Sequence, residues 1–210
     1  MTKRPVIFFD WDGTLADSMP LCIAEIRLAL ERMGLPELPE ALLTQCNGPT
    51  FEESVQVLGI PEARAAEYLQ ERMDAEMALV HTVQRLFPGV RDMLDSLREV
   101  ADLAIVSNGL PEYLALSLQV TDLEKAFVRV QGQMPGKTKG EALSIMLAEL
   151  APSRAVMVGD RLGDFLAGQQ NGLPTVAACY GYGSREEFAR ADRQASTVDE
   201  LTTLLKQMLA

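Results

Sequence analysis

Four short apolar runs, each stopped by Gly, Asp, Ser or Asn, recur along the chain: VIFFD to Asp10, LAIVSNG to Gly109, AVMVGD to Asp160 and TVAACYG to Gly181. Helix-like segments separate them. Unbroken apolar runs of this length suit strands buried on both faces, and their alternation with helices is the rhythm of βα units on a parallel sheet. AFVRVQG, from Ala126, is a weaker strand candidate. In PGVRDMLDSLREV, Val90, Met93, Leu94 and Leu97 fall on one helical face.

Between Ala16 and Phe87 the pattern changes. PLCIAEIRLALERMG, FEESVQVLG and EARAAEYLQERMDAEMALV carry helical spacing, and no run there reads as a buried strand. Helix signals sit where they are needed: Asp17 and Ser18 stand before Pro20, Gly34 follows the first helix, and Thr50 with Glu53 has capping-box spacing. The expected architecture is therefore α/β, a Rossmann-like parallel-sheet core formed by residues 1–15 and 88–210 and interrupted by an α-helical cap at 16–87.

The charge balance, 19 basic against 30 acidic residues, gives a net charge of -11. No basic stretch interleaves with aromatics, which argues against a nucleic-acid partner. An acidic chain can still take an anionic small molecule when a cation reverses the field locally. Cys22, Cys46 and Cys179 have no CxxC spacing and make no closed disulfide framework, which suits a reducing cytoplasm. The opening MTKRPVIFFD has an apolar segment of only Val6 to Phe9, far too short for a signal core or a membrane span, so the expectation is a soluble, cytoplasmic protein.

The candidate chemistry lies at the ends of the apolar runs. Asp10 and Asp12 stand one residue apart, and two such carboxylates resist ionising together unless a cation or a shared proton relieves them. Ser107, Asn108 and Gly109 follow the second run, Asp160 and Asp164 the third, and Lys137 and Lys139 precede the helical GEALSIMLAEL. Ligands of parallel α/β sheets bind at the carboxyl ends of strands, so these groups can converge. Carboxylate oxygens with open positions suit Mg²⁺, and the added hydroxyl and lysine suit an anion beside it. A calcium loop is excluded, since counting from Asp10 puts Leu15 and Leu21 where Gly and Glu are required. His81 is the only histidine, which leaves no material for a histidine triad or a zinc cluster.

DWDGTLADS, the SNG turn, a lysine before a helix and GDRLGD together resemble the four motifs of the haloacid dehalogenase superfamily, in order and over the whole chain. The insertion is similar to the small helical cap of the phosphoglycolate phosphatase and β-phosphoglucomutase branch. The resemblance implies that Asp10 is the nucleophile, forming an aspartyl-phosphate, and that Asp12 is the acid and base serving the leaving alcohol and the water. It implies Mg²⁺ held by Asp10, the Asp12 carbonyl and Asp160, with Asp164 assisting directly or through water. Ser107 and a lysine would bind the phosphoryl oxygens, with Gly13, Thr14, Asn108 and Gly109 around them.

Two lysines compete for that role, and Lys139 is the favoured one, with Lys137 kept as a substrate-binding candidate. KGEAL from Lys139 resembles the phosphoserine phosphatase form of the motif, and Lys137 resembles a KPxP form without its prolines. The implied activity is hydrolysis of a small phosphorylated metabolite, phosphoglycolate-like or a sugar phosphate, by a monomer or homodimer. A phosphomutase of the β-phosphoglucomutase type and a catalytically silent metal- and phosphate-binding module are the alternatives. Asp12 argues against dehalogenase chemistry, and a phosphonatase would need a cap lysine, which residues 16–87 lack. The cap offers Arg27, Arg32, Arg64, Arg72 and Arg85 to a substrate, and Gly48 in the CNGPTFEES loop could approach one. Trp11 departs from the aliphatic residue usual at that place.

Overall fold

The computed structural model describes residues 3–209, so Met1, Thr2 and Ala210, at the edges of the expected core, lie outside it. In chain order the elements are β1 (Val6–Phe9), α1 (Met19–Arg32), α2 (Glu40–Leu43), α3 (Phe51–Val57), α4 (Ala65–Val83), α5 (Val90–Arg98), β2 (Asp102–Val106) and α6 (Pro111–Val120). Then follow β3 (Arg129–Gln131), α7 (Lys139–Leu150), β4 (Ala155–Gly159), α8 (Leu162–Gln170), β5 (Thr175–Ala178), α9 (Arg185–Phe188), β6 (Arg193–Ala195) and α10 (Val198–Leu209).

All the strand pairs are parallel, in the order β3-β2-β1-β4-β5-β6. The apolar runs are strands because they are covered on both sides. Ile7 and Phe9 pack with α5 and α10, while Val6 and Phe8 face Ala142, Leu143 and Met146 of α7. Phe9 pairs with Ile105 on one side and Val158 on the other. That register brings Asp10, Ser107 and Asp160 to the same end of the sheet, at the point where the strand order reverses.

Residues 19–83 hold α1 to α4 and, among the described residues, no strand. These helices have their own apolar cluster, with Ile26, Leu30, Leu43 and Tyr68 buried in it. The segments leading out and back run side by side: Asp17 N donates to Arg85 O at 3.0 Å and Phe87 N to Leu15 O at 3.1 Å. The Thr50–Glu53 capping box forms as the spacing predicts.

Three features differ from the sequence expectation or go beyond it. β6 has no apolar run, because Arg193 and Gln194 of this edge strand are exposed and only Ala195 is buried. α9 is a one-turn helix held by a Ser184–Glu187 capping box. Ser18 stands at the N-cap of α1, but its side chain makes no capping bond.

Candidate active site

The loop after β1 is a tight turn. Trp11 is fully buried, and its carbonyl accepts from the amides of Thr14, Leu15 and Ala16 at 3.3, 3.0 and 2.9 Å. Gly13 has φ +80°, and a Cβ there would collide with the Asp160 carboxylate. Glycine is thus required both by the backbone conformation and by how closely Asp160 approaches. Thr14 Oγ1 donates to Asp160 Oδ1 at 3.3 Å, and the Tyr182 amide donates to Asp160 Oδ2 at 2.8 Å.

Asp10, Asp160 and Asp164 are buried, and one carboxylate oxygen of each lies within 4.8 Å of the others. Lys139, not Lys137, reaches this cluster. Its Nζ is 3.0 Å from Asp10 Oδ1 and 2.6 Å from Asp164 Oδ1, whereas Lys137 is exposed and lines an adjacent groove with Ser107 and Asn108. Asp164 Oδ2 also accepts from the Arg161 amide at 3.0 Å.

One ammonium does not balance three carboxylates. Burial, reinforced by Asp164, pushes Asp10 up to about 7 even with Lys139 beside it. Burial, then Asp164 and Asp10, raises Asp160 well above its ordinary value. A further cation would relieve both. The donors are all oxygen, so the residues fit a hard divalent ion such as Mg²⁺.

Asp12 points away from that cluster into a different set of partners. Tyr113 Oη donates to Asp12 Oδ1 at 2.6 Å. Burial raises the Asp12 carboxyl, and hydrogen bonds from Tyr113 and Ser18 oppose the rise. The Ser18 hydroxyl also accepts from Asn47 Nδ2 at 3.1 Å. These contacts are why Ser18 does not cap α1.

Ser107 is buried, and its Oγ accepts from the Gly109 amide at 3.0 Å. Asn108 Nδ2 donates to Gly48 O at 3.3 Å, joining the β2 loop to the loop before α3. A small cavity, about 50 Å³, lies between Asp10, Asp12 and Ser107 on the sheet side and Glu25, Arg72 and Glu76 on the helical side.

Of the five arginines between residues 16 and 87, Arg72 lines this cavity. The others pair elsewhere: Arg27 with Glu37 and Glu40, Arg32 with Glu71, Arg64 with Glu67, and Arg85 with Asp17. His81 is exposed on α4. Tyr113, Glu25 and Glu76 line the site without a sequence signal of their own, since each reads as an ordinary helix position, and Ser18 reads only as a helix cap.

A buried acidic cluster with one lysine, at the switch point of a parallel sheet and under a helical layer, has the makings of an α/β enzyme site. Residues 7–178 match the model of the haloacid dehalogenase-like hydrolase family, and the chain belongs to that family. It is 30% identical over 208 residues to a phosphoglycolate phosphatase of Synechococcus elongatus, covering 97% of this chain and 98% of that one. It is 28% identical over 210 residues to the tyrosine-protein kinase PtkA of Mycobacterium tuberculosis, covering 95% of this chain and 72% of the other. A haloacid dehalogenase-like family hydrolase of Streptococcus pneumoniae has the same fold, with a TM-score of 0.88 at 23% identity over 98% of this chain and all of that one.

Among the described residues, no helix is long and apolar enough to cross a membrane.

Proposed function

We propose that this chain is a Mg²⁺-dependent phosphatase that hydrolyses a small phosphomonoester through a phospho-Asp10 intermediate, with residues 1–15 and 88–210 as catalytic core and 16–87 as cap. The observation that carries this reading is that Asp10 and Asp12 line one cavity while their partners differ. Asp10 belongs to the Asp160, Asp164 and Lys139 cluster, and Asp12 to Tyr113 and Ser18. Two neighbouring carboxylates with separate environments can take separate roles.

Asp10 attacks phosphorus, and the bond from phosphorus to the alcohol oxygen breaks. Asp12 gives that oxygen its proton, then takes one from the water that displaces phosphate from Asp10. Tyr113 and Ser18 hold the Asp12 carboxyl in place for both transfers. Ser107 and Lys139 hydrogen-bond the phosphoryl oxygens, with Asn108, Gly109 and Thr14 shaping the loops around them. The carboxylates of Asp10, Asp160 and Asp164 and the carbonyl of Asp12 would hold Mg²⁺, which would supply charge neutralisation at the phosphoryl group. Free cysteines and the phosphatase relative both fit action on a metabolite in a reducing cytoplasm.

The test is inorganic phosphate release from a panel of phosphomonoesters, including 4-nitrophenyl phosphate, with Mg²⁺ or with EDTA. Release should require Mg²⁺ and fall by at least about 10³-fold in Asp10→Asn. No release from any ester would overturn the phosphatase and turn attention to a mutase or a binding role.

A further inference from the structure

The helical wall of the cavity carries a second buried charge cluster. Arg72 and Glu25 are 2% exposed each, and Glu76 is 5% exposed. Arg72 Nε and Nη2 donate to Glu25 Oε1 at 2.9 and 2.7 Å, Nη1 donates to Ser54 Oγ at 2.7 Å, and Nη2 lies 3.7 Å from Cys22 Sγ. The guanidinium is therefore committed within the wall. Glu76 Oε2 is buried with no hydrogen-bond partner, although Glu76 lines the cavity.

A buried acceptor without a donor costs free energy, and the molecule that enters the cavity is positioned to satisfy it. The wall holds two carboxyl groups against one guanidinium, so it offers acceptors in surplus. The remaining cap arginines are paired away from the cavity, and the cap contains no lysine. A carboxylate arriving there would meet Glu25 and Glu76 with no uncommitted cation, whereas a hydroxyl or ammonium would meet carboxyl acceptors.

We propose that Glu76, braced by the Glu25–Arg72 pair, selects phosphate esters whose alcohol portion carries hydrogen-bond donors, hydroxyl or ammonium, and rejects those carrying a carboxylate. This rests on the phosphatase reading and narrows it: the phosphoglycolate named for one relative is a poor substrate here. Burial, with Glu25 and Asp12 nearby, raises the Glu76 carboxyl well above its ordinary value. Either form keeps an acceptor oxygen for the same donor, and it is the ionised form that repels a carboxylate.

The experiment has two arms. In the first, kcat/KM is measured for O-phosphoethanolamine, glycerol 1-phosphate and 2-phosphoglycolate, in the wild type and in Glu76→Gln. The amine and diol esters separate the two kinds of donor. The better of them should exceed phosphoglycolate at least tenfold, and the ratio should shrink several-fold in Glu76→Gln. A ratio between substrates is insensitive to the folded fraction of the variant.

The second arm needs no turnover. Calorimetric binding to the Mg²⁺-loaded wild type is compared for 3-aminopropylphosphonate and 3,4-dihydroxybutylphosphonate against 3-phosphonopropanoate. One of the first two should bind at least tenfold tighter. Equal or reversed preference in either arm, or no binding of any phosphonate, overturns the inference. If nothing is hydrolysed yet the phosphonate preference holds, the phosphatase reading fails and the selectivity stands.

Discussion

The two faces of the cavity solve the same electrostatic problem differently. On the sheet side, Asp10, Asp160 and Asp164 share one lysine, and burial leaves Asp10 and Asp160 with raised pKa values. On the helical side, Arg72 donates two hydrogen bonds to one Glu25 oxygen and a third to Ser54. The first cluster is short of positive charge and would be completed by an ion. The second is internally paired except for Glu76 Oε2, and is completed by a donor. A buried cluster's deficit thus says what it binds, and the two deficits here point to a cation and to a neutral or cationic alcohol portion.

Replacing the two cations sharpens this contrast. Lys139→Met should lower kcat by about 10²–10³-fold, as expected for loss of a donor to the phosphoryl oxygens. Its melting temperature without metal should fall, because Asp10 and Asp164 lose their partner, and Mg²⁺ should restore much of it. Thermal melts with Mg²⁺ and with EDTA, beside steady-state kinetics, check both outcomes.

Arg72→Met should be mainly a stability defect. Stripping one partner from a buried pair costs about 3–5 kcal/mol, because the other charge is left without compensation. Mg²⁺ should rescue little of this loss, since the stranded carboxyl is Glu25 and not a metal ligand. The double variant Glu25→Leu, Arg72→Met should regain most of it in denaturant titrations. Full rescue of the single variant by Mg²⁺ would merge the two clusters into one and defeat the comparison.

The same contrast separates what could be read in the sequence from what could not. Asp10, Ser107 and Asp160 each follow an apolar run, and a parallel sheet brings strand ends together, so their convergence was legible. Lys139 is favoured over Lys137 on the form of its motif alone, because which lysine enters the cluster depends on where α7 begins. α7 starts at Lys139, after the Thr138 cap, and Lys137 remains outside and exposed. The cap cluster has no contiguous motif. Glu25 and Arg72 are 47 residues apart on two helices, and Arg72 is one of five arginines with equal local credentials. Ser18 has the sequence of a helix cap, but its hydroxyl is engaged in a tertiary hydrogen bond from Asn47. β6 escaped for the converse reason, since an edge strand of exposed Arg193 and Gln194 needs no apolar run.

The smallest expected effect is a pH dependence that assigns a share to each face. Asp10, ordinarily near 3.8, is pushed up to about 7 by burial and Asp164, and burial likewise pushes Glu25 from 4.5 up to about 7 against the pull of Arg72. Each carboxyl holds its proton more tightly in the folded chain than in the unfolded one. Their contribution to stability is therefore fully present below about pH 4 and is lost as pH rises through 7. In EDTA the melting temperature should decline between about pH 5 and pH 8. A cation among the core carboxylates favours their ionised forms and removes their part of the slope, so Mg²⁺ should flatten the decline. The Glu25 part should persist in Mg²⁺ and disappear in the Glu25→Leu, Arg72→Met double variant, leaving only the part carried by Glu76. A slope unaffected by Mg²⁺ would mean that the core carboxylates do not hold the ion, whereas a slope abolished by Mg²⁺ alone would mean that Glu25 is ionised throughout, bound to Arg72 as a permanent pair.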